Sequence, residues 1–159
     1  MEGLLLKIYK SNKSTKLLKA ASLVCVLVGV LAFFALLALA YLNSPKEAIL
    51  LLIFFAVPFC AVSLFRRFFN APRPYEIYEF YEIAPRDKKG SSFPSRHVFS
   101  AVIIAVFALS YSVVMGVILL LLSLILSVSR VLLGIHFIRD CVAGALIGAL
   151  SAIIGILLL

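Results

Sequence analysis

The feature that most constrains the fold is a run without any charged residue, from Val98 to Ser129. As one helix, these 32 residues would be about 48 Å long at about 1.5 Å per residue, against about 30 Å for a bilayer core. Two shorter helices joined by a turn around Ser110–Gly116 fit that thickness better. The run therefore predicts a helical pair whose outer ends, near Arg96 and Arg130, lie at one face of a membrane.

Three further apolar runs cover roughly residues 17–42, 48–65 and 137–159. The first two are separated by the turn sequence "NSPK", in which Pro45 is placed to open the next helix. The chain is 64% hydrophobic, whereas soluble domains contain about 45–50% apolar residues. The pattern predicts an all-α protein: one membrane domain over residues 1–159, a polytopic bundle of about five transmembrane helices.

The N-terminal segment, residues 1–16, alternates leucines with lysines and predicts a short interfacial helix. The whole chain carries a formal net charge of +8. In a soluble protein such a charge would suggest nucleic acid. Here the positive residues flank apolar runs, which favours the membrane surface and lipid phosphates as partners, and no nucleic acid.

Small residues recur along one face of the last apolar run. Gly144, Gly148 and Gly155, with Ser151 between them, predict close packing against a neighbouring helix.

Polar residues fall into three clusters, at 66–74, 94–97 and 129–140, and the first two lie in the one long polar segment, 66–97. Five spans place all three clusters on the same side of the membrane. Ionisable groups at membrane depth are costly and mark functional sites. Their convergence predicts a polar site at one end of the bundle.

In the third cluster, His136 and Asp140 are four residues apart, so a helix would place them on one face. A carboxylate there fixes the imidazole tautomer and leaves the other ring nitrogen as a nucleophile or base. Arg130 adds a fork of donors that suits phosphate oxygens. The alternative interpretation is a structural His–Asp pair with an arginine that extends to the membrane interface.

The second cluster, "PSRH", places His97 at the entrance to an apolar helix, directly after Ser95 and Arg96. A helix N-terminus offers unpaired N–H groups and a partial positive charge to an anion. Ser95 is also an N-cap candidate. A second histidine permits a division of acid and base roles.

In the first cluster, Arg66 and Arg73 are seven residues apart and would share one side of a helix that extended this far. Two cations at that spacing are able to hold a phosphoryl group. Arg67 is better interpreted as a positive anchor at the membrane face.

Together the clusters resemble the three-part signature of the type 2 phosphatidic acid phosphatase family, related to bacterial acid phosphatases and vanadium haloperoxidases. That signature reads Lys-x6-Arg-Pro, Pro-Ser-Gly-His and Ser-Arg-x5-His-x3-Asp. The third part is complete here, from Ser129 to Asp140, and the resemblance covers roughly residues 48–159. In the first part Arg66 replaces lysine, and in the second Arg96 replaces glycine.

The resemblance implies an integral membrane phosphatase that hydrolyses a lipid phosphate or diphosphate without a metal ion or other cofactor. It implies catalytic roles for three residues and phosphate binding by five more. The catalytic residues would be His136, His97 and Asp140; the phosphate-binding residues would be Arg66, Arg73, Ser95, Arg96 and Arg130. The extra guanidinium of Arg96 suggests a diphosphate or an altered headgroup.

The glutamates of "YEIYEFYEI", Glu76, Glu79 and Glu82, would be able to recruit a cation, but we predict no metal site there. The tyrosines beside them are typical of an interfacial aromatic belt.

Two questions stay open at this level. The alternative to an enzyme is a non-enzymatic membrane protein, a transporter or lipid-binding subunit that uses the basic residues as an anion site. The second question is sidedness. Fourteen of the fifteen basic residues fall on the side of the clusters and only Lys46 on the other, so the positive-inside rule predicts a cytoplasmic site in a bacterial or archaeal cell membrane.

Overall fold

The computed structural model describes residues 12–78 and 89–158. Within these two ranges the chain forms six helices, numbered here in chain order. They are α1 (Asn12–Asn43), α2 (Pro45–Phe69), α3 (Pro74–Ile77), α4 (Arg96–Tyr111), α5 (Val113–Leu132) and α6 (Ile138–Leu158).

Four of these helices, α1, α2, α5 and α6, are long and apolar enough to cross a membrane. The fifth apolar helix, α4, has 16 residues and is therefore about 24 Å long at about 1.5 Å per residue. The predicted polytopic helical bundle is confirmed, with α4 as a short fifth helix.

The turns between the apolar helices lie where the sequence predicts them. Ser44 caps α2 by accepting a hydrogen bond from the Lys46 amide, and Pro45 occupies the first turn of that helix. Ser112 ends α4 and caps α5, accepting from the Met115 amide at 3.4 Å. The charge-free run is therefore two helices, as its length requires.

The predicted interfacial helix at residues 1–16 falls mostly outside the described residues. Residues 12–16 belong to α1, which continues through the predicted boundary at residue 17 without a break. The interfacial segment itself stays a prediction.

The central helix is α4, which contacts α1, α2, α5 and α6. Its side chains Phe99, Ile103 and Phe107 are almost fully buried. The four longer helices expose many large apolar side chains on their outer faces, as expected where lipid replaces water. The start of α4, which carries the second polar cluster, is thus held from several sides.

The predicted small-residue stripe on α6 is confirmed as the surface that packs against α4. A Cβ atom added at Gly144 would lie 2.5 Å from the Ser95 carbonyl oxygen, and one at Gly148 would lie 2.7 Å from that of Phe99. Both distances are too short for real atoms, so only glycine permits this approach. The contact brings the N-terminal ends of α4 and α6 together.

We expect Gly144→Ala to lower the melting temperature of the detergent-purified protein. The added methyl meets main-chain atoms that cannot rotate away, and overpacking of this kind costs about 1–3 kcal/mol. Gly29→Ala on α1 is the matched control, because a Cβ there meets nothing within 4 Å. Equal melting temperatures for the two variants would contradict the proposed close contact.

Candidate active site

Asp140, in the first turn of α6, is fully buried at the meeting point of the polar clusters. Its Oδ2 atom accepts hydrogen bonds from the Ser92 hydroxyl and from the Phe137 amide at 3.0 Å. The same oxygen lies 3.5 Å from Nδ1 of His136. The predicted His–Asp pair is present. However, His136 precedes α6 instead of lying on it, so the prediction that both residues share one helix face was wrong.

A tight turn after α5 brings His136 to this position. Gly134 has a φ of +68°, which glycine adopts without strain. The amides of Ile135 and His136 both donate to the Arg130 carbonyl oxygen, at 3.0 and 3.4 Å. The five residues between Arg130 and His136 thus form a turn that folds back on the end of α5.

The His136 imidazole is buried, and burial lowers its pKa. The positive charges of Arg73 and Arg66 also lower this pKa, whereas the hydrogen bond with Asp140 raises it. The lowered pKa favours a neutral ring. Because Nδ1 faces the carboxylate, Nε2 is the nitrogen that can act as a nucleophile.

Ser92 belongs to the site, and sequence reasoning missed it. Its hydroxyl lies 3.3 Å from His136 Nδ1 and donates to Asp140. Its amide donates to the Ala71 carbonyl oxygen at 2.9 Å. In the sequence Ser92 is the second of two serines before "FPSRH", and nothing there separates it from Ser91.

Ser95 occupies the N-cap position of α4 as predicted, but its side chain makes no capping hydrogen bond. Its amide donates to the Asp140 carbonyl oxygen at 2.9 Å. Its buried hydroxyl has no hydrogen-bond partner of normal geometry among the described residues, and the weakly bonding Cys141 thiol lies beside it. The Ser95 hydroxyl therefore keeps unused hydrogen-bonding capacity.

Arg66, near the end of α2, is 5% exposed. Its Nη1 atom donates to the carbonyl oxygen of Ser92 at 3.1 Å and to that of Pro94. These bonds fix the segment between the first and second clusters. The neighbouring Arg67 is exposed, in keeping with its interpretation as a membrane-face anchor.

Arg73 does not share a helix with Arg66, which corrects the expectation from their spacing. The helix ends at Phe69, because Asn70 adopts the left-handed conformation with a φ of 45°. Arg73 instead precedes α3, and its Nε donates to the Gly90 carbonyl oxygen at 3.0 Å. The two arginines reach the site from different segments.

The Glu76 carboxylate holds this second segment. Its Oε1 accepts from the amides of Arg73 and Gly90, at 3.0 and 2.7 Å. Glu79 and Glu82 lie outside the described residues. Over residues 12–78 and 89–158, no three His, Cys, Asp or Glu side chains are grouped to hold a metal ion.

His97 and Arg130 line a shared cavity of about 390 Å³ at this end of the bundle. Arg130 is partly buried, and its Nε atom has no hydrogen-bond partner among the described residues. Lys19 and Ser22 of α1 line the same cavity. Lys19 lies outside all three motifs, so only the packing of α1 reveals it.

The Arg96 side chain extends toward α2. Its Nη1 lies 3.4 Å from the Ser63 hydroxyl, and its guanidinium carbon lies 5.9 Å from the centre of the Phe59 ring. Both contacts are with α2, so the guanidinium lies against that helix.

Residues 46–159 match the PAP2 superfamily, which is most of the chain. The chain belongs to this superfamily. The match confirms the resemblance carried by the three motifs, and it begins after α1.

The structure is similar to the crystal structure of Aquifex aeolicus LpxE, with a TM-score of 0.71 and 24% sequence identity, covering 97% of this chain and 93% of that one. It also matches the first transmembrane PAP2 type phosphatidylglycerolphosphate phosphatase from Bacillus subtilis, with a TM-score of 0.49 and 19% identity, over 98% and 90% of the two chains. No curated protein matches the sequence.

Proposed function

We propose that this protein is an integral membrane phosphatase that hydrolyses a lipid phosphate or diphosphate through a phosphohistidine intermediate. Membership of the PAP2 superfamily and the four membrane-length helices support a membrane lipid phosphatase. The substrate class we propose comprises phosphatidic acid, phosphatidylglycerophosphate and prenyl diphosphates.

The observation that carries the proposal is a set of buried polar atoms without hydrogen-bond partners. In the described part of the chain there are three: the Ser95 hydroxyl, Arg130 Nε and Asp140 Oδ1. Buried polar groups are almost always hydrogen-bonded, so each exception needs an explanation. Two of the three are groups able to donate in predicted phosphate-binding residues. A bound phosphoryl group would supply the missing acceptors.

The first step is attack by Nε2 of His136 on phosphorus. A new N–P bond forms while the P–O bond to the lipid alkoxide, or to the departing phosphate, breaks. Asp140 accepts the hydrogen bond from Nδ1–H and stabilises the positive charge that develops on the ring. Ser92 supports this arrangement by hydrogen-bonding to the same carboxylate oxygen.

His97 handles the protons in both steps. It donates a proton to the departing oxygen as the P–O bond breaks. It then takes a proton from the water that attacks the phosphohistidine, which releases inorganic phosphate and restores His136. His97 lines the cavity that adjoins the site, where both the leaving group and the water have access to it.

The proposed reaction uses no metal ion, so side chains must neutralise the charge of the transferring phosphoryl group. We assign this role to Arg130, Arg73, Arg66, Ser95 and the first amides of α4, whose N-terminal end attracts anions. Arg66 also has the structural role seen in its carbonyl contacts. Arg96 is better placed to contact another part of the substrate.

Phosphate release from phosphatidic acid, phosphatidylglycerophosphate and prenyl mono- and diphosphates tests the function directly. We expect the detergent-purified protein to release phosphate from at least one of them. His136→Ala should lower the rate on the order of 1,000-fold or more, because the group that forms the covalent intermediate is gone. Arg67→Ala is the control, since it removes an adjacent but exposed arginine.

Substrate binding without phosphate release by the folded wild-type protein would favour the alternative, a transporter or lipid-binding subunit. Robust release by a folded His136→Ala protein would falsify the covalent mechanism.

We further propose that the site faces the cytoplasm, on the strength of the basic residues that flank it. The α6 helix begins at the site and crosses the bundle, so its C-terminal end lies at the opposite side. We expect a reporter that is active only outside the cytoplasm to work when fused to the C-terminus. Activity of a cytoplasm-only reporter there would contradict this orientation.

A further inference from the structure

A second cavity, of about 430 Å³, leads from the candidate site into the apolar part of the bundle. We call it the α1 groove, because α1 forms one wall of it, while α2, α4 and α5 form the rest. Its volume lies within the range of about 300–1,000 Å³ that is typical of ligand sites. His97 lines both the groove and the cavity that contains Arg130.

The groove is polar at the end next to His97 and apolar beyond it. Along α4 its lining passes from Arg96 and His97 to Ser100 and then to Ile104. The rise from His97 to Ile104 is about 10 Å at about 1.5 Å per residue. The rest of the lining is almost entirely hydrocarbon and aromatic, and it includes Val30, Phe33, Phe34, Phe55, Ile104 and Leu126.

The groove is also open along its side. Val30 and Phe34, which line it, are 47% and 61% exposed. In a membrane these side chains face the lipid, so a molecule is able to move into the groove from within the bilayer. A phosphate near His97 and an apolar chain along the groove would together match an amphipathic lipid.

Gly29 is the position at which α1 leaves this groove open. A Cβ added there would meet nothing within 4 Å, in contrast with Gly144 and Gly148 on α6. Glycine in a helix interior costs about 0.8–1.0 kcal/mol relative to alanine, and here no close packing contact requires it. Its missing side chain instead preserves space in the groove that it lines.

We propose that the α1 groove binds one hydrocarbon chain of the lipid substrate, and that Gly29 determines how bulky and how long a chain fits. This inference rests on the proposed phosphatase function and adds to it. It assigns substrate selection to α1, a helix that lies before the matched residues 46–159. Arg96, held toward α2 by Ser63 and Phe59, would lie where the chain meets the headgroup.

The test is Gly29→Phe, compared with Ala35→Phe. Ala35 is an exposed residue of the same helix and is not among the side chains that line the groove. Three substrates are compared by kcat/KM: a long-chain phosphatidic acid, a short-chain one, and p-nitrophenyl phosphate, which has no chain. The last reports on the catalytic groups alone.

We expect Gly29→Phe to lower kcat/KM for the long-chain substrate by roughly tenfold, because the added ring crowds the space that the chain would fill. The short-chain substrate should lose less, and p-nitrophenyl phosphate should be hydrolysed as by the wild type. Ala35→Phe should leave all three rates unchanged. The proposal is overturned by an unchanged long-chain rate in Gly29→Phe, or by an equal loss on all three substrates.

A binding experiment separates failure of this proposal from failure of the phosphatase function. A phosphatidic acid with a diazirine in its chain should label the lining of the groove on illumination, even in a protein that shows no turnover. Labelling should be strong in the wild type and in Ala35→Phe, and should be lost in Gly29→Phe. Equal labelling of all three proteins would refute the groove as the chain site, whatever their activity.

Discussion

The site depends above all on the hydrogen bonds of Asp140. Its carboxylate accepts from the Ser92 hydroxyl and lies beside His136, while its main-chain oxygen accepts from the Ser95 amide. One residue thus connects the third cluster with Ser95 of the second and with Ser92 just before it. Arg66 completes the connection, because it donates to the carbonyl oxygens of Ser92 and Pro94.

These polar groups are buried at the end of an apolar bundle, where an unpaired polar group is expensive. The cost is limited because nearly every group is paired: Arg66 with two carbonyl oxygens, Arg73 with Gly90, and Asp140 with three donors. Three atoms are exceptions among the described residues: the Ser95 hydroxyl, Arg130 Nε and Asp140 Oδ1. The first two belong to groups able to donate, and this is where we place the phosphoryl group. Hydrogen bonds therefore hold most of the site residues in place, and the donors without partners are those that we assign to the substrate.

Much of this architecture could be predicted from the sequence, since its determinants are local. The charge-free run exceeds the thickness of a bilayer, so it had to turn near Ser112. The glycines of α6 predicted close packing against a neighbouring helix, which the structure identifies as α4. The number of spans predicted that the three clusters lie on the same side of the membrane. What the sequence could not supply were contacts between distant loop residues: the bond of Ser92 to Asp140, and that of Glu76 to Gly90.

The predicted position of Arg73 was wrong for a related reason. Its spacing from Arg66 suggested one continuous helix, but Asn70 adopts the left-handed conformation and ends α2. Asn70 also accepts a hydrogen bond from the Ser91 amide at 3.1 Å, so the helix end is tied to a segment 21 residues away in sequence. The sequence also did not predict that α1 lines both cavities, because neither Lys19 nor Gly29 belongs to a motif.

The central claim is that the phosphoryl group is transferred to His136, and a trapped intermediate tests it most directly. In His97→Ala, a substrate with a good leaving group should still phosphorylate the protein, because its departure needs no proton, while hydrolysis of the intermediate slows. Mass spectrometry of this variant, prepared without acid, should find the phosphoryl group on His136. Turnover that continues with the phosphoryl group on another residue, or on none, would contradict the account.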